Sequence, residues 1–108
     1  MAILKILRKS EWSDFQSAGE TTGAPVDLAD GFIHFSTAEQ VHETVARHFS
    51  GETDLIVLEV DETTLGGDLK WEASRGGALF PHLYRPLRID DITRHATWDN
   101  WVQDNPAP

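Results

Sequence analysis

Three short stretches hold the residues whose types and spacing suit chemistry. The first is Gly31-Phe32-Ile33-His34-Phe35-Ser36-Thr37. In a strand, Phe32, His34 and Ser36 would share one face, and Ile33 and Phe35 the other. His34 is thus a titratable group for neutral pH framed by apolar neighbours, which makes it a catalytic candidate. Ser36 and Thr37 would follow at the start of a helix, whose free N–H groups favour anions, so both read as ligand contacts. The plainer reading is a core histidine bonded to backbone, with Ser36 only a cap.

The second stretch is Trp71-Glu72-Ala73-Ser74-Arg75-Gly76-Gly77. Glu72 could act as a general base or accept from a ribose hydroxyl, and it is the second catalytic candidate. Arg75 can take a carboxylate or phosphate through two donors. Gly76 and Gly77 let backbone come close to a ligand. Neither G-x-G-x-x-G nor G-x-x-x-x-G-K-[ST] occurs here. The plainer reading is a tight turn with a surface ion pair between Glu72 and Arg75.

The third stretch is Phe80-Pro81-His82-Leu83-Tyr84-Arg85-Pro86. Two prolines stiffen it around His82 and Tyr84. Phe80 or Tyr84 could stack on a base or sugar ring, and His82 completes the ligand-binding candidates. The alternative is a rigid turn with Phe80, Leu83 and Tyr84 packed inside. The functional reading requires His34, Glu72, Arg75 and Tyr84 to converge on one accessible cleft.

Other chemistry is excluded. There is no cysteine, so no disulfide, thiolate metal site or cysteine nucleophile. His42 and His48 point to different sides of a helix and cannot clamp one ion, so no metal site is expected. No G-x-S-x-G elbow occurs. His95 reads as surface or packing.

The elements that must position these groups follow from periodicity. Ala2 to Leu7 reads as a strand, and Ser10 to Ala18 as a short helix capped by Ser10. Gly19 to Ala29, rich in Gly, Thr and Pro, reads as a surface loop. Gly31 to Phe35 is a short strand. Ser36 to Phe49 is the main helix: Ser36-Thr37-Ala38-Glu39 has capping-box spacing, and Ala38, Val41, Val45 and Phe49 form an apolar stripe. Leu55 to Val60 is a near-continuous apolar run, expected as a central strand covered on both faces. Leu69 to Ala73 is a further strand. Pro81 limits the pairing of Leu79 to Tyr84. Leu87 to Ile92 returns to the sheet, and Trp98 and Trp101 dock a last turn or strand. The expectation is one α+β domain, residues 1–104, with a frayed tail over 105–108. Its sheet would be small, mixed and mainly antiparallel, with one main helix.

The 108 residues carry a net charge of −9, which argues against nucleic acid as the main partner. Lys70 to Arg94 is locally positive, with five basic residues against three acids, and suits a small anionic ligand. No stretch approaches the ~20 apolar residues of a membrane span. The apolar start is too short for a signal peptide, and the lack of cysteine favours the cytoplasm.

The chain resembles a known family. Asp30-Gly31-Phe32-Ile33-His34-Phe35-Ser36-Thr37, Leu58-Glu59-Val60-Asp61, Trp71-Glu72 and Gly76-Gly77-Ala78-Leu79-Phe80-Pro81-His82-Leu83-Tyr84 are similar to the bacterial domain of unknown function 952. The likeness runs from about Ala2 to Asp91. That family is grouped with the ADP-ribosyltransferase superfamily, whose members bind NAD in a cleft between two small sheets. The resemblance implies an ADP-ribosyltransferase-like fold and NAD as a cofactor. It sets His34 with Ser36 in place of the superfamily's early strand histidine, and Tyr84 or Phe80 in place of its nicotinamide-stacking aromatic. The superfamily's late glutamate has no clear match: Glu72 precedes the aromatics, and Asp90 and Asp91 are shorter. A transferase, another nucleotide- or RNA-phosphate-processing enzyme, a non-catalytic binder of a small anionic or nucleotide-like metabolite, and an interaction protein all remain open at this point.

Overall fold

The computed structural model describes residues 1–108, apart from the side chain of Arg75. Strand β1 (Ala2–Arg8) pairs along its whole length with β4 (Leu55–Asp61), and β4 pairs with β8 (Ile92–Thr97). This three-stranded sheet, order β1-β4-β8, is the centre of the molecule. A second sheet has the order β3-β6-β5, from β3 (Ile33–His34), β5 (Leu69–Ser74) and β6 (Ala78–Leu83). A two-residue ribbon joins β2 (Glu20–Thr21) to β7 (Leu87–Arg88). Every strand pairing among the described residues is antiparallel, so the expected mixed sheet is replaced by three antiparallel ones.

The apolar run of β4 has the two-sided burial its sequence implies. Ile56, Leu58 and Val60 point to one core, with Ile3 and Leu7 of β1, Trp12 and Phe15, and Ile33, Phe35 and Leu83. Leu55 and Val57 point to the other, with Leu4, Ile6, Val41 and Trp101. The first core joins the two sheets. The second seats α3 (Val41–His48) and α4 (Trp98–Asp104) on the back of the central sheet.

Among the described residues there are four α-helices where the sequence pointed to one main helix and one short one, so the helical content was underestimated. α1 (Lys9–Ala18) is not capped by Ser10; the Arg8 N–H donates to Glu11 Oε1 (2.8 Å). The supposed loop 19–29 contains β2 and leads into α2 (Pro25–Asp30), which has Pro at its first turn and Gly31 at its end. Pro81 sits within the central strand of the second sheet, and its carbonyl still accepts from Phe35 N–H (2.9 Å). Asn105 is tied down, since its carbonyl lies 2.8 Å from His42 Nε2 and its N–H donates to the Trp101 carbonyl (3.0 Å).

The main helix also starts later than Ser36. Ser36 bridges to Leu4 of β1, exchanging backbone hydrogen bonds of 2.8 and 2.9 Å. Residues 33–36 thus leave the second sheet and cross to the first. Ser36 is buried, and its Oγ is 2.8 Å from Thr44 Oγ1. The capping exchange falls one residue on: Gln40 N–H donates to Thr37 Oγ1 (3.2 Å), and Thr37 N–H donates to Gln40 Oε1 (3.0 Å). Sequence spacing could not tell these two registers apart, because both offer a hydroxyl followed by Glu or Gln three residues on. Thr37→Ala should therefore lower the unfolding free energy in urea by about 1 kcal/mol, the usual value of such a cap. A change within error would remove Thr37 from that role.

Candidate functional site

The antiparallel register of the second sheet places its candidate residues. His34 pairs with His82, and Lys70 of β5 pairs with His82 from the other side. Glu72 pairs with Phe80. Alternation then turns Ile33, Leu69 and Leu83 into the core and leaves Phe32, His34, Lys70, Glu72, His82 and Tyr84 on one outer face.

Phe32 is the centre of that face. Its ring lies 4.2 Å from His82, 4.6 Å from His34 and 5.3 Å from Tyr84, measured between centroids. His34 and His82 stand edge to face at 5.3 Å. Glu72 Oε1 accepts from Tyr84 Oη (2.6 Å) and from His82 Nδ1 (2.8 Å). These two bonds, the tyrosine's first, hold the Glu72 carboxyl below its ordinary range, and the same bond pushes the Tyr84 phenol up. Both donors converge on one oxygen, and Oε2 has no hydrogen-bond partner among the described residues. Glu72 is therefore a half-exposed carboxylate anchored through one oxygen. Lys70 Nζ lies 5.4 Å over the Tyr84 ring.

His34 is held from behind by Asp27, a residue that sequence reasoning left inside a loop. Asp27 has no exposed side-chain surface. Its Oδ1 accepts from His34 Nδ1 (2.6 Å) and His34 N–H (3.0 Å). Its Oδ2 accepts from Lys5 Nζ (2.7 Å) and Ala24 N–H (2.7 Å). Burial alone would raise this carboxyl, but His34 and Lys5 outweigh it and bring it down to about 2. Lys5, buried in the middle of β1, is pushed down by burial and pulled back in part by Asp27. On the outer side, His34 Nε2 is 2.9 Å from Oδ2 of the half-exposed Asp30.

Other candidates lie elsewhere. Gly76 and Gly77 form the tip of the β5–β6 hairpin, with φ of 69° and 85°, about four residues or ~13 Å along the strand from Glu72. Their left-handed backbone is what that turn requires. The side chain of Arg75 lies outside the described residues. Phe80 and His82 are buried, so neither presents its ring to solvent. Ser36 is buried against Thr44, and Thr37 serves the start of α3, so the expected helix terminus beside His34 is absent. Two basic residues of the locally positive stretch are paired with acids: Arg85 contacts Asp91 (3.0 Å) and Asp68 (3.8 Å), and Arg94 contacts Glu59 (4.0 Å). Among the described residues no group of three or more His, Asp or Glu could hold a metal ion. No helix among them is long and apolar enough to cross a membrane.

A shallow cavity of about 280 Å³ adjoins the cluster, lined by Asp27, Gly31, Phe32, Tyr84 and Arg85 among others. The family described as protein of unknown function (DUF952) matches residues 6–95. The chain belongs to this family. Protein CC0527 from Caulobacter crescentus, in its crystal structure, is 54% identical over 90% of this chain and 85% of its own, with a TM-score of 0.87. A crystal structure of its double mutant gives 52% identity over the same shares and the same score. The solution structure of that protein gives 54% identity over 89% and 83%, with a TM-score of 0.80. No curated protein matches the chain. The family and these structures place the fold; none of their descriptions names a ligand.

A signal for Asp27 did exist in the sequence. Lys5 interrupts an otherwise apolar strand, and a lysine buried there must have an acid. Pro25 with Asp27 two residues later and Gly31 just beyond marks a short helix with an acidic first turn. Gly23 completes the arrangement. Its φ is 102°, and a Cβ there would stand 2.6 Å from the Asp27 Cβ.

Two substitutions test this support. Asp27→Asn should cost about 3–5 kcal/mol in urea unfolding, because it leaves the Lys5 charge buried without its partner. Gly23→Ala should cost at least ~1–2 kcal/mol through its left-handed backbone, before any displacement of Asp27. Losses under half of these values would show that the carboxylate carries little of the structure.

Proposed function

We propose that the outer face built from Phe32, His34, Glu72 and Tyr84 binds, or acts on, a ribose-phosphate ligand of the NAD or ADP-ribose kind. The observation that carries this reading is the anchoring of the half-exposed Glu72 carboxylate through one oxygen, with no hydrogen-bond partner on the other among the described residues. A carboxylate pinned by two donors on one oxygen keeps the other in a constant position to accept from a pair of ribose hydroxyls. Phe32 and Tyr84 offer ring faces beside it, and the adjoining cavity gives a flat ring a place to lie. His34, with Nδ1 bonded to an ionised carboxylate, has its orientation and proton position fixed, as an acid–base group requires. The likeness to the ADP-ribosyltransferase superfamily supports the same ligand class. In this reading His82 is a positioning residue, since it is buried under Phe32 and acts through Glu72. A cytoplasmic location belongs to the proposal as well.

A non-catalytic binding module is the second reading. It is favoured by the number of acids in the site that are committed to neighbouring side chains, Asp27 above all.

The test is thermal unfolding with NAD, ADP-ribose, other nucleotides and phosphosugars. A true ligand at 100 times its Kd adds ~2.7 kcal/mol of stability. The gain should vanish in Glu72→Gln, whose amide oxygen can still accept from the buried His82, and fall in Tyr84→Phe, which loses an exposed hydrogen bond; both should remain folded. Release of nicotinamide from NAD would then separate catalysis from binding. No stabilisation by any of these compounds, or stabilisation unaffected by both substitutions, would overturn the reading.

A further inference from the structure

The contact between His34 and Asp30 points to what the ligand brings to this site. Asp30 ends α2 and is half-exposed, with 47% of its side-chain surface open. Its carboxylate stands 2.9 Å from His34 Nε2, while the opposite nitrogen is taken by the buried Asp27. Nε2 is the outward nitrogen of a ring that retains 31% of its side-chain exposure. Asp27 and Asp30 differ in kind. Asp27 is fixed by Lys5 and two backbone N–H groups, whereas among the described residues Asp30 has no partner besides His34. A partly exposed contact of this sort, an ion pair only when the ring is protonated, is weak and readily exchanged.

We propose that Asp30 is an internal stand-in for an anionic oxygen of the ligand, and that ligand binding replaces the Asp30 carboxylate on His34 Nε2 with a phosphate or carboxylate oxygen. This rests on the reading of the outer face as a ligand site and adds a subsite to it. The chemistry is one of like for like. With Nδ1 bonded to Asp27, Nε2 carries a proton in the imidazolium form, and an Nε2–H that can meet a carboxylate oxygen can meet a phosphate oxygen equally well. Glu72 then meets hydroxyls at one end of the face, and His34 meets the anion at the other, with Phe32 between them. Asp30 also sets a threshold, because any anion must outcompete it.

The test titrates inorganic phosphate into labelled protein and follows by NMR the His34 ring signals and the backbone amide signals of Gly31, Phe32 and Tyr84, which remain observable when His34 is replaced. The wild type is compared with Asp30→Asn, Asp30→Ala and Asp14→Asn, the last removing one exposed acid elsewhere with the same change in net charge. Both Asp30 variants should bind phosphate about fivefold more tightly than wild type, the gain expected from releasing an exposed pair. Asp14→Asn should not, and adding His34→Ala to Asp30→Asn should abolish the response. Equal binding in wild type and the Asp30 variants, an equal gain in Asp14→Asn, or a response that survives His34→Ala would each overturn the proposal. If phosphate binds as described and no ribose-bearing compound stabilises the protein, the anion subsite stands and the NAD or ADP-ribose reading falls.

Discussion

A single buried carboxylate ties the molecule together. Asp27 accepts from Lys5 on the central sheet, from the start of its own helix and from both the backbone and the ring of His34 on the second sheet. Each of these groups would be costly to bury alone. A lysine ammonium in the middle of an apolar strand would lose its proton or its place. With Asp27 beside it, the charge is paired and the lone pairs of the carboxylate are filled. Buried ion pairs contribute little net stability when compared with apolar packing, but breaking one is severe. Their structural effect is registry. Here the pairing fixes how α2 sits over the seam between the two sheets, and with it the direction of His34.

From that seam the rest of the outer face follows. Residues 33–36 run from one sheet to the other, so Ile33 and Phe35 enter the shared core while Phe32 and His34 face out. The antiparallel register then puts His82 beside His34 and brings Glu72 diagonally across to His82. Tyr84 closes the cluster on the same carboxylate oxygen. The two histidines are alike in having a carboxylate on Nδ1, but they differ in exposure. His82 is buried and serves Glu72; His34 is partly open, with Nε2 beside the half-exposed Asp30. The division of labour between holding and meeting a ligand is set by this difference in burial.

Much of this was legible in the sequence where the signal is local. The two-faced burial of β4 follows from its unbroken apolar run, and of the stripe Ala38, Val41, Val45 and Phe49 the last three meet the core, whereas Ala38 is exposed ahead of α3. His34, Glu72 and Tyr84 were marked by type and neighbourhood, and the fold brings them to one face. What was not legible depends on long-range pairing. Asp27 looked like one more polar residue of a loop, because its partners lie 22 residues before it and seven after. The capping register was ambiguous until the bridge between Ser36 and Leu4 removed Ser36 from the helix. Gly76 and Gly77 suggested a ligand loop, but a hairpin tip asks for the same residues. Pro81 argued against a central strand, yet its carbonyl remains usable and its neighbour across the sheet is a short crossing segment.

The most direct test of this account is the ionisation of Asp27 itself, followed through its carboxyl carbon by NMR as the pH is lowered from 7. Ordinary carboxylates change state near pH ~4. The account predicts that the Asp27 signal passes through that region unchanged and moves only as the pH approaches about 2, together with the His34 and Ala24 N–H signals or with acid unfolding. The sign is that of a carboxyl depressed by its partners: its contribution to stability is complete above the ordinary value and is lost as the pH falls through the folded one. A midpoint near pH ~4, with the His34 signals undisturbed, would contradict it.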